Sequence, residues 1–352
     1  MARGGDRRIL FVKLGAIGDA IQSAVALHEY RARNPGVMVD WVVGQNIRPL
    51  IDAIGVADKV IPVDESALLA GGLPSRFFGL MKGVARVHAE GHRRYESVFT
   101  VYEDWRYQLL TRAIVTGARR SLSRARARPN NIHHRNRVHE IFRLLSGGDP
   151  EIFDIAAATR ATGERLERNV RLDDVLKIAP PYVAVAAGGA KNLHRDDALR
   201  RWPIGSYRNL VERLILQGLE VVLVGARGDS WVSGELKGLP VIDLIGKTDL
   251  LQLFGVLSRA ACIVSNDSGV LHLASLTRAG LIGLFGPTPA NAVLPLGRQN
   301  TEAIALGNKV SCSPCYDGRN YAACGRNVCL ESITVESVLA AIDRVSVEGA
   351  SS

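Results

Sequence analysis

Short apolar runs alternate along the chain with longer stretches in which apolar residues return every three or four positions. This alternation predicts strands separated by helices, the βαβ pattern of a parallel sheet. In the first half the runs at 9–14, 37–43, 59–63 and 97–101 predict strands. In the second half they fall at 182–187, 220–224, 241–244, 262–265 and 281–285. Residues 156–181 are charged and helix-prone and end at Pro180-Pro181, where a helix must stop. Two α/β domains are expected to meet there, at 1–168 and 169–335, with a last helix and tail over 336–352. No repeat of 20–50 residues is evident. Ligands of open parallel sheets sit beyond the carboxyl ends of strands, so strand-to-helix loops are expected to line a central cleft.

Residues 9–30, ILFVKLGAIGDAIQSAVALHEY, read as a buried strand, a turn and an amphipathic helix. The glycines at 15 and 18 match neither the dinucleotide fingerprint nor the P-loop, which excludes the two familiar phosphate turns. Asp19 then has two readings. It is a helix N-cap, or it is a general base, with Gly15 and Gly18 letting an acceptor approach the backbone. VSNDSGVLHLAS (264–275) repeats the strand, turn and helix order. Asp267 or Ser268 caps that helix, or Ser268, Gly269 and His272 gather at its start to hold a diphosphate while Asp267 orients the loop or a sugar hydroxyl. Between 187 and 203, Gly188-Gly189-Ala190-Lys191 leads to Arg195, Arg200 and Arg201 before Trp202-Pro203. These cations are solvated, or they neutralise a leaving diphosphate. LFGPTPAN (284–291) ends one more strand in a Gly-Pro turn, a candidate cleft wall.

At 352 residues, with 47% hydrophobic and 22% charged residues, the chain has the make-up of an ordinary globular protein of two domains. No run reaches the ~18 apolar residues of a spanning helix. Lys13 and Asp19 interrupt the early apolar stretch, and no small-residue cleavage site follows, so a cytoplasmic protein is expected. The net charge of +9 is concentrated locally. Arg119, Arg120, Arg124, Arg126, Arg128 and Arg135 lie with His133 and His134 in a stretch, 118–137, that lacks apolar periodicity and reads as an inserted or mobile loop. It is a solvated loop or an anion-binding surface for nucleic acid, lipid headgroups or phosphorylated small molecules. Aromatic residues are absent from it, which leaves single-stranded nucleic acid without a stacking platform.

Of the five cysteines, Cys262 lies in a predicted strand, and Cys312, Cys315, Cys324 and Cys329 cluster near the end. Four thiolates could close a structural zinc site, or the thiols are reduced and pack a loop. A basic zinc-containing nucleic-acid-binding protein is the rival reading of these features.

The motifs taken together resemble glycosyltransferase family 9, the bacterial ADP-heptose:lipopolysaccharide heptosyltransferases. The resemblance rests on VKLGAIGDAIQSAVAL, DWVVGQNIRPLID, ADKVIPVD, RRWP, VVLVGARGD, SNDSGVLHLAS, LFGPT and the CSPC…C…C tail, in this order over nearly the whole chain. It implies the GT-B architecture, two Rossmann-like domains with parallel sheets facing a central cleft. It also implies inverting, metal-independent transfer from a nucleotide sugar, with no cofactor required. By that resemblance Asp19 matches the family's base, and Asp267, Ser268, Gly269 and His272 match its donor-binding D-[ST]-G-x-x-H pattern. Lys247 and Asp249 fall where the nucleotide pocket is lined. Arg200 stands where the family usually has the lysine of K-x-W-P, which keeps the charge and changes its geometry. The implied acceptor is an anionic, lipid-linked or oligosaccharide lipopolysaccharide intermediate at the inner face of the cytoplasmic membrane, with Arg124, Arg126 and Arg128 expected to meet it. Nucleic acid is not an expected partner on this reading.

Overall fold

The computed structural model describes residues 7–70, 72–101, 104–122, 136–147, 154–170, 178–189, 196–294, 303–307, 310–316 and 320–349. Of these, the residues within 7–122 and 137–169 form one compact unit, and the others form a second.

In the first unit the chain runs β1 (Arg8–Val12), α1 (Ile17–Arg33), β2 (Met38–Gly44), α2 (Arg48–Ile54), β3 (Lys59–Val63), α3 (Glu65–Leu69) and α4 (Leu73–Glu90). It continues through β4 (Arg94–Thr100), α5 (Trp105–Leu110), β5 (Val115–Ser121), α6 (Arg137–Ser146) and α7 (Ile155–Asn169). All neighbouring strands pair in parallel, in the order β3-β2-β1-β4-β5. β1 lies near the middle of the sheet, and its residues are almost uniformly apolar because both faces are covered. Leu10, Val12, Val42, Ile61, Val98 and Tyr107 are among the side chains of its core.

The second unit holds β6 (Tyr182–Ala186), α8 (Ile204–Leu216), β7 (Glu220–Leu223), α9 (Ser230–Glu235), β8 (Ile242–Asp243), α10 (Leu250–Arg259) and β9 (Cys262–Asn266). It closes with α11 (Gly269–Ala274), β10 (Gly280–Phe285), α12 (Ala290–Val293), β11 (Ala303–Gly307), α13 (Val328–Glu331) and α14 (Val335–Gly349). The sheet is again parallel, ordered β11-β10-β9-β6-β7-β8. Val185, Leu223, Val264 and Ile282 pack there with Tyr207 and Leu210 of α8 and Val338 and Ile342 of α14. Truncating one such Leu or Ile to Ala costs about 2–5 kcal/mol.

Each predicted strand forms, with ends moved by a few residues. Two strands escape the apolar pattern, and both are edges. β5, with the sequence VTGARRS, is largely exposed and holds its place through backbone pairing with β4. Residues 118–121 are therefore strand, where a loop was expected from 118 onward. β11 borders β10 at the far side of the second sheet and is only half-buried. Edge strands need bury only part of themselves, so their hydrophobic signal fades.

In both sheets the strand order reverses once, between β1 and β4 in the first and between β6 and β9 in the second. At such a switch point the loops leaving adjacent strands run in opposite directions and open a crevice at the carboxyl ends.

Candidate active site

In the first unit β1 ends at the switch point, and Lys13 to Ala16 carry the chain into α1. Lys13 is 1% exposed. Its N–H donates to Val42 O at 3.1 Å, and its carbonyl accepts Trp41 Nε1–H at 3.1 Å. Its Nζ reaches Asp19 Oδ2 at 2.6 Å, and Asp19 keeps 33% of its side chain in solvent. Burial pushes the Lys13 ammonium below the ordinary lysine pKa. The charge of Asp19 and its hydrogen bond pull in the other direction, and Arg137 adds to the lowering.

The capping reading of Asp19 is overturned. α1 is entered through Ala16, which makes no side-chain cap, and Asp19 lies inside the first turn. A carboxylate is favoured there by the helix dipole.

A second carboxylate occupies the same turn. Glu65 opens α3, whose cap is Asp64 accepting Ala67 N–H at 2.9 Å. Its Oε1 accepts Tyr107 O–H at 2.8 Å. A Cβ on Gly15 would lie 2.4 Å from Glu65 Oε2 and 2.9 Å from Oε1. Position 15 therefore lacks a side chain in order to admit Glu65, and Gly18 is buried within α1.

Of the arginine-rich stretch, Arg124, Arg126 and Arg128 lie outside the described residues. Arg119 donates to the carbonyls of Thr111, Arg112 and Ile114 at 2.8, 3.2 and 2.6 Å and so closes the turn before β5. Arg120 stands over the Phe99 ring at 5.9 Å. These two arginines serve the fold.

In the second unit the loops after β6, β7 and β9 are tied together by two buried polar residues. Asn266, at the end of β9, accepts Trp202 N–H at 2.9 Å and donates to Ala187 O and Gly188 O at 3.0 and 3.2 Å. Asp229 accepts Gly189 N–H at 2.8 Å and Ala226 N–H at 2.9 Å. The double glycine follows from this packing. A Cβ on Gly188 would meet Asp229 Cγ at 2.5 Å. Gly189 has φ +83°, and its Cβ would meet Ser268 Cβ at 2.7 Å. Gly189→Ala is therefore expected to destabilise the protein by about 1–3 kcal/mol. An unchanged midpoint in chemical unfolding would show that the loop is not constrained there.

Arg200 ends a one-turn 3₁₀ helix, Ala198–Arg200. Its Nη1 donates to Asp267 Oδ2 at 3.1 Å, and Nη2 stands 3.6 Å from Asp197 Oδ2. Burial opposes the guanidinium charge, yet Asp267 and Asp197 outweigh it and hold the pKa above the ordinary arginine value. The Nε of Arg200 is buried without a hydrogen-bond partner among the described residues. A buried donor left in this way costs about 1–3 kcal/mol unless something accepts from it.

Asp267 thus pairs with Arg200, and neither it nor Ser268 caps α11 through its side chain. Ser268 Oγ lies 3.2 Å from Ser265 Oγ. Gly269 begins α11, with half-buried His272 in its first turn. Lys247 is exposed and donates to Asp243 O at 2.7 Å. Asp249 caps α10, accepting from Leu251 and Gln252 N–H at 2.9 and 2.8 Å. Gly246, just before them, approaches Arg227 in the loop after β7.

Of the two readings of the four cysteines, the four-thiolate zinc site is not assembled among the described residues. Cys324 Sγ donates to Arg326 O and Cys329 Sγ to Asn327 Oδ1, each at 3.1 Å. Cys312 is exposed. Among the described residues no three His, Cys, Asp or Glu side chains are grouped to hold a metal.

Sequence reasoning missed Lys13, Glu65, Tyr107, Asp229 and Asn266. A lone lysine inside ILFVKLG was a readable sign of a buried charge, whereas the others find their partners only through the fold.

Residues 91–324 match glycosyltransferase family 9 (heptosyltransferase). Lipooligosaccharide heptosyltransferase 2 of Haemophilus influenzae is 36% identical over 109 residues, which is 29% of this chain and 32% of that protein. The chain thus aligns with about a third of the length of that relative. Lipopolysaccharide heptosyltransferase 1 of Escherichia coli O18:K1:H7 is 23% identical over 326 residues, 86% of this chain and 93% of that protein. Among solved structures, E. coli heptosyltransferase WaaC with ADP superposes with a TM-score of 0.68 at 20% identity, covering 96% of this chain and 99% of that one. That likeness establishes the GT-B fold class. The family match takes in well over half of the sequence and both switch-point glycine loops of the second sheet, and the chain belongs to glycosyltransferase family 9.

Proposed function

We propose that the chain transfers a heptose or a related sugar from a nucleotide-diphosphate sugar, with ADP-heptose as the donor, to a lipopolysaccharide-core or other glycan acceptor. The first unit supplies the base and the second holds the donor. Asp19 takes the proton of an acceptor hydroxyl as its oxygen bonds to the anomeric carbon. The bond from that carbon to the diphosphate breaks, and its electron pair leaves on the diphosphate with inversion at carbon. Arg200 receives the phosphate charge, a planar fork in place of a lysine point charge. Ser268, Gly269 and His272 bound the same pocket, and Lys247 and Asp249 border the nucleotide end. The acceptor approaches the turn of Gly15 and Gly18 beside Glu65. The protein acts in the cytoplasm, on a lipid-linked acceptor that brings it to the inner membrane face.

The observation that carries the reading is Arg200, a guanidinium held against Asp267 just past the end of β9, beside the β6/β9 switch point, whose Nε meets no acceptor among the described residues. Phosphate oxygens supply such acceptors and bring the negative charge that a buried guanidinium favours. The similar WaaC structures, which hold ADP and ADP-2-deoxy-2-fluoro heptose, favour adenosine diphosphate. Nothing in the comparisons or the geometry supports the nucleic-acid alternative.

Thermal unfolding tests it. ADP at a hundredfold excess over its Kd is expected to add about 2.7 kcal/mol, a rise in Tm of roughly 4 °C for a chain of this length. RNA and DNA are expected to add nothing. Stabilisation by another nucleoside diphosphate alone would reassign the base, and no stabilisation by any of them would overturn the reading.

A further inference from the structure

Helix α4 is apolar on two sides. One side buries Gly79, Gly83 and Val87, and a Cβ on Gly79 would lie 2.3 Å from Ala67 O of α3. At about 100° per residue, Leu73, Phe77 and Met81 form a ridge on the other side, with Phe78 next to it. These four are 82%, 60%, 51% and 63% exposed, in that order. The two phenylalanine rings meet edge to face at 6.0 Å. Exposed Arg76, Lys82 and Arg86 flank the ridge. Glu90 is the helix's one acidic residue, and it pairs with Arg86 at 2.6 Å.

We infer that this face of α4 seats the protein on a lipid bilayer bearing anionic headgroups. Aromatic and aliphatic side chains on one side of a helix, with cations beside them, match the two layers of a membrane surface, where the apolar ridge enters the acyl boundary and the cations stay at headgroup level. Among the described residues no helix is long and apolar enough to cross a membrane, so the contact is peripheral. Taking ~200 Å² for each large side chain, the four leave on the order of 500 Å² of apolar surface in solvent. This exceeds the stray exposure of single residues but falls short of the ~800 Å² per partner of a standard protein interface. A bilayer asks for no such matched area. The proposal extends the lipid-linked acceptor reading by giving the protein a surface at which to meet that acceptor, and its test does not depend on transfer.

The test is co-sedimentation of the full chain with vesicles of phosphatidylethanolamine, with and without phosphatidylglycerol. The parent is expected to pellet with the phosphatidylglycerol vesicles, and the double variant Phe77→Ser, Phe78→Ser to lose at least about tenfold in partitioning. Arg76→Glu with Lys82→Glu is expected to abolish the preference for phosphatidylglycerol. Equal pelleting of parent and Phe variant, or no pelleting of the parent, overturns the proposal. So does a concentration-dependent dimer in light scattering that the Phe variant dissolves, because the ridge would then belong to a second copy. ADP stabilisation, measured in the same samples, reads the donor pocket alone. Its failure beside intact vesicle binding would remove the proposed transfer function and leave the docking surface standing.

Discussion

Asp19→Asn is expected to lower turnover by about 10²–10⁴ while ADP stabilises the variant as it stabilises the parent. Asparagine has the size of aspartate and can still lie against Lys13, but it cannot take a proton from an attacking hydroxyl. Asp19 forms an ion pair with a wholly buried lysine and keeps a third of its side chain in solvent. The ion pair fixes the carboxylate at the turn, and Glu65 adds to the negative charge that Lys13 meets there. The amide variant removes one of the two carboxylates that act on the Lys13 ammonium, and some stability is lost with it. Turnover should therefore be read at a temperature where chemical unfolding finds the variant fully folded. Undiminished turnover would remove Asp19 from the chemistry.

Arg200→Met is expected to abolish the ADP-induced rise in Tm and to cost about 3–5 kcal/mol of stability. The stability loss follows from Asp267, a nearly buried carboxylate whose recorded cationic partner is Arg200. Removing one member of a buried pair leaves the other unneutralised. The two consequences can be separated. Adding Asp267→Asn to Arg200→Met removes the stranded charge and is expected to restore much of the stability, whereas ADP stabilisation stays lost. Should the double variant bind ADP like the parent, the phosphate charge must be met elsewhere. In the present reading Arg200→Lys keeps part of the binding, since it keeps the charge and lacks only the planar fork.

The strands that bury both faces were plain in the sequence, since ILFV, YVAVA and GLIGLF leave little else to form. Edge strands were not, because VTGARRS carries its pairing in the backbone and its side chains in solvent. The candidate residues showed the same divide. The turn at Asp19 was visible as strand, glycines and helix, yet the place of Asp19 inside the first turn of α1 and its contact with Lys13 Nζ were not. Glu65 and Tyr107 meet beside Gly15 from helices α3 and α5, and no local pattern announces them. At Asp249 the simplest local reading, a helix cap, is what the geometry displays. At Asp267 capping gives way to an ion pair with Arg200, because a cation from a distant loop outbids two backbone amides in a buried setting. The four cysteines illustrate a spacing that permits a metal, while two of them, Cys324 and Cys329, bond to nearby oxygens.

Asn266 has a meaning for anyone who would redesign the donor preference. Its one amide holds the end of the strand before Gly188 and the backbone of Trp202, so the two segments behave as a single cassette. Grafting either segment from another sugar-transfer enzyme without its partner would leave that amide half-bonded in the interior. Exchanging both together with position 266 keeps the knot closed and leaves the remaining pocket residues free to be varied.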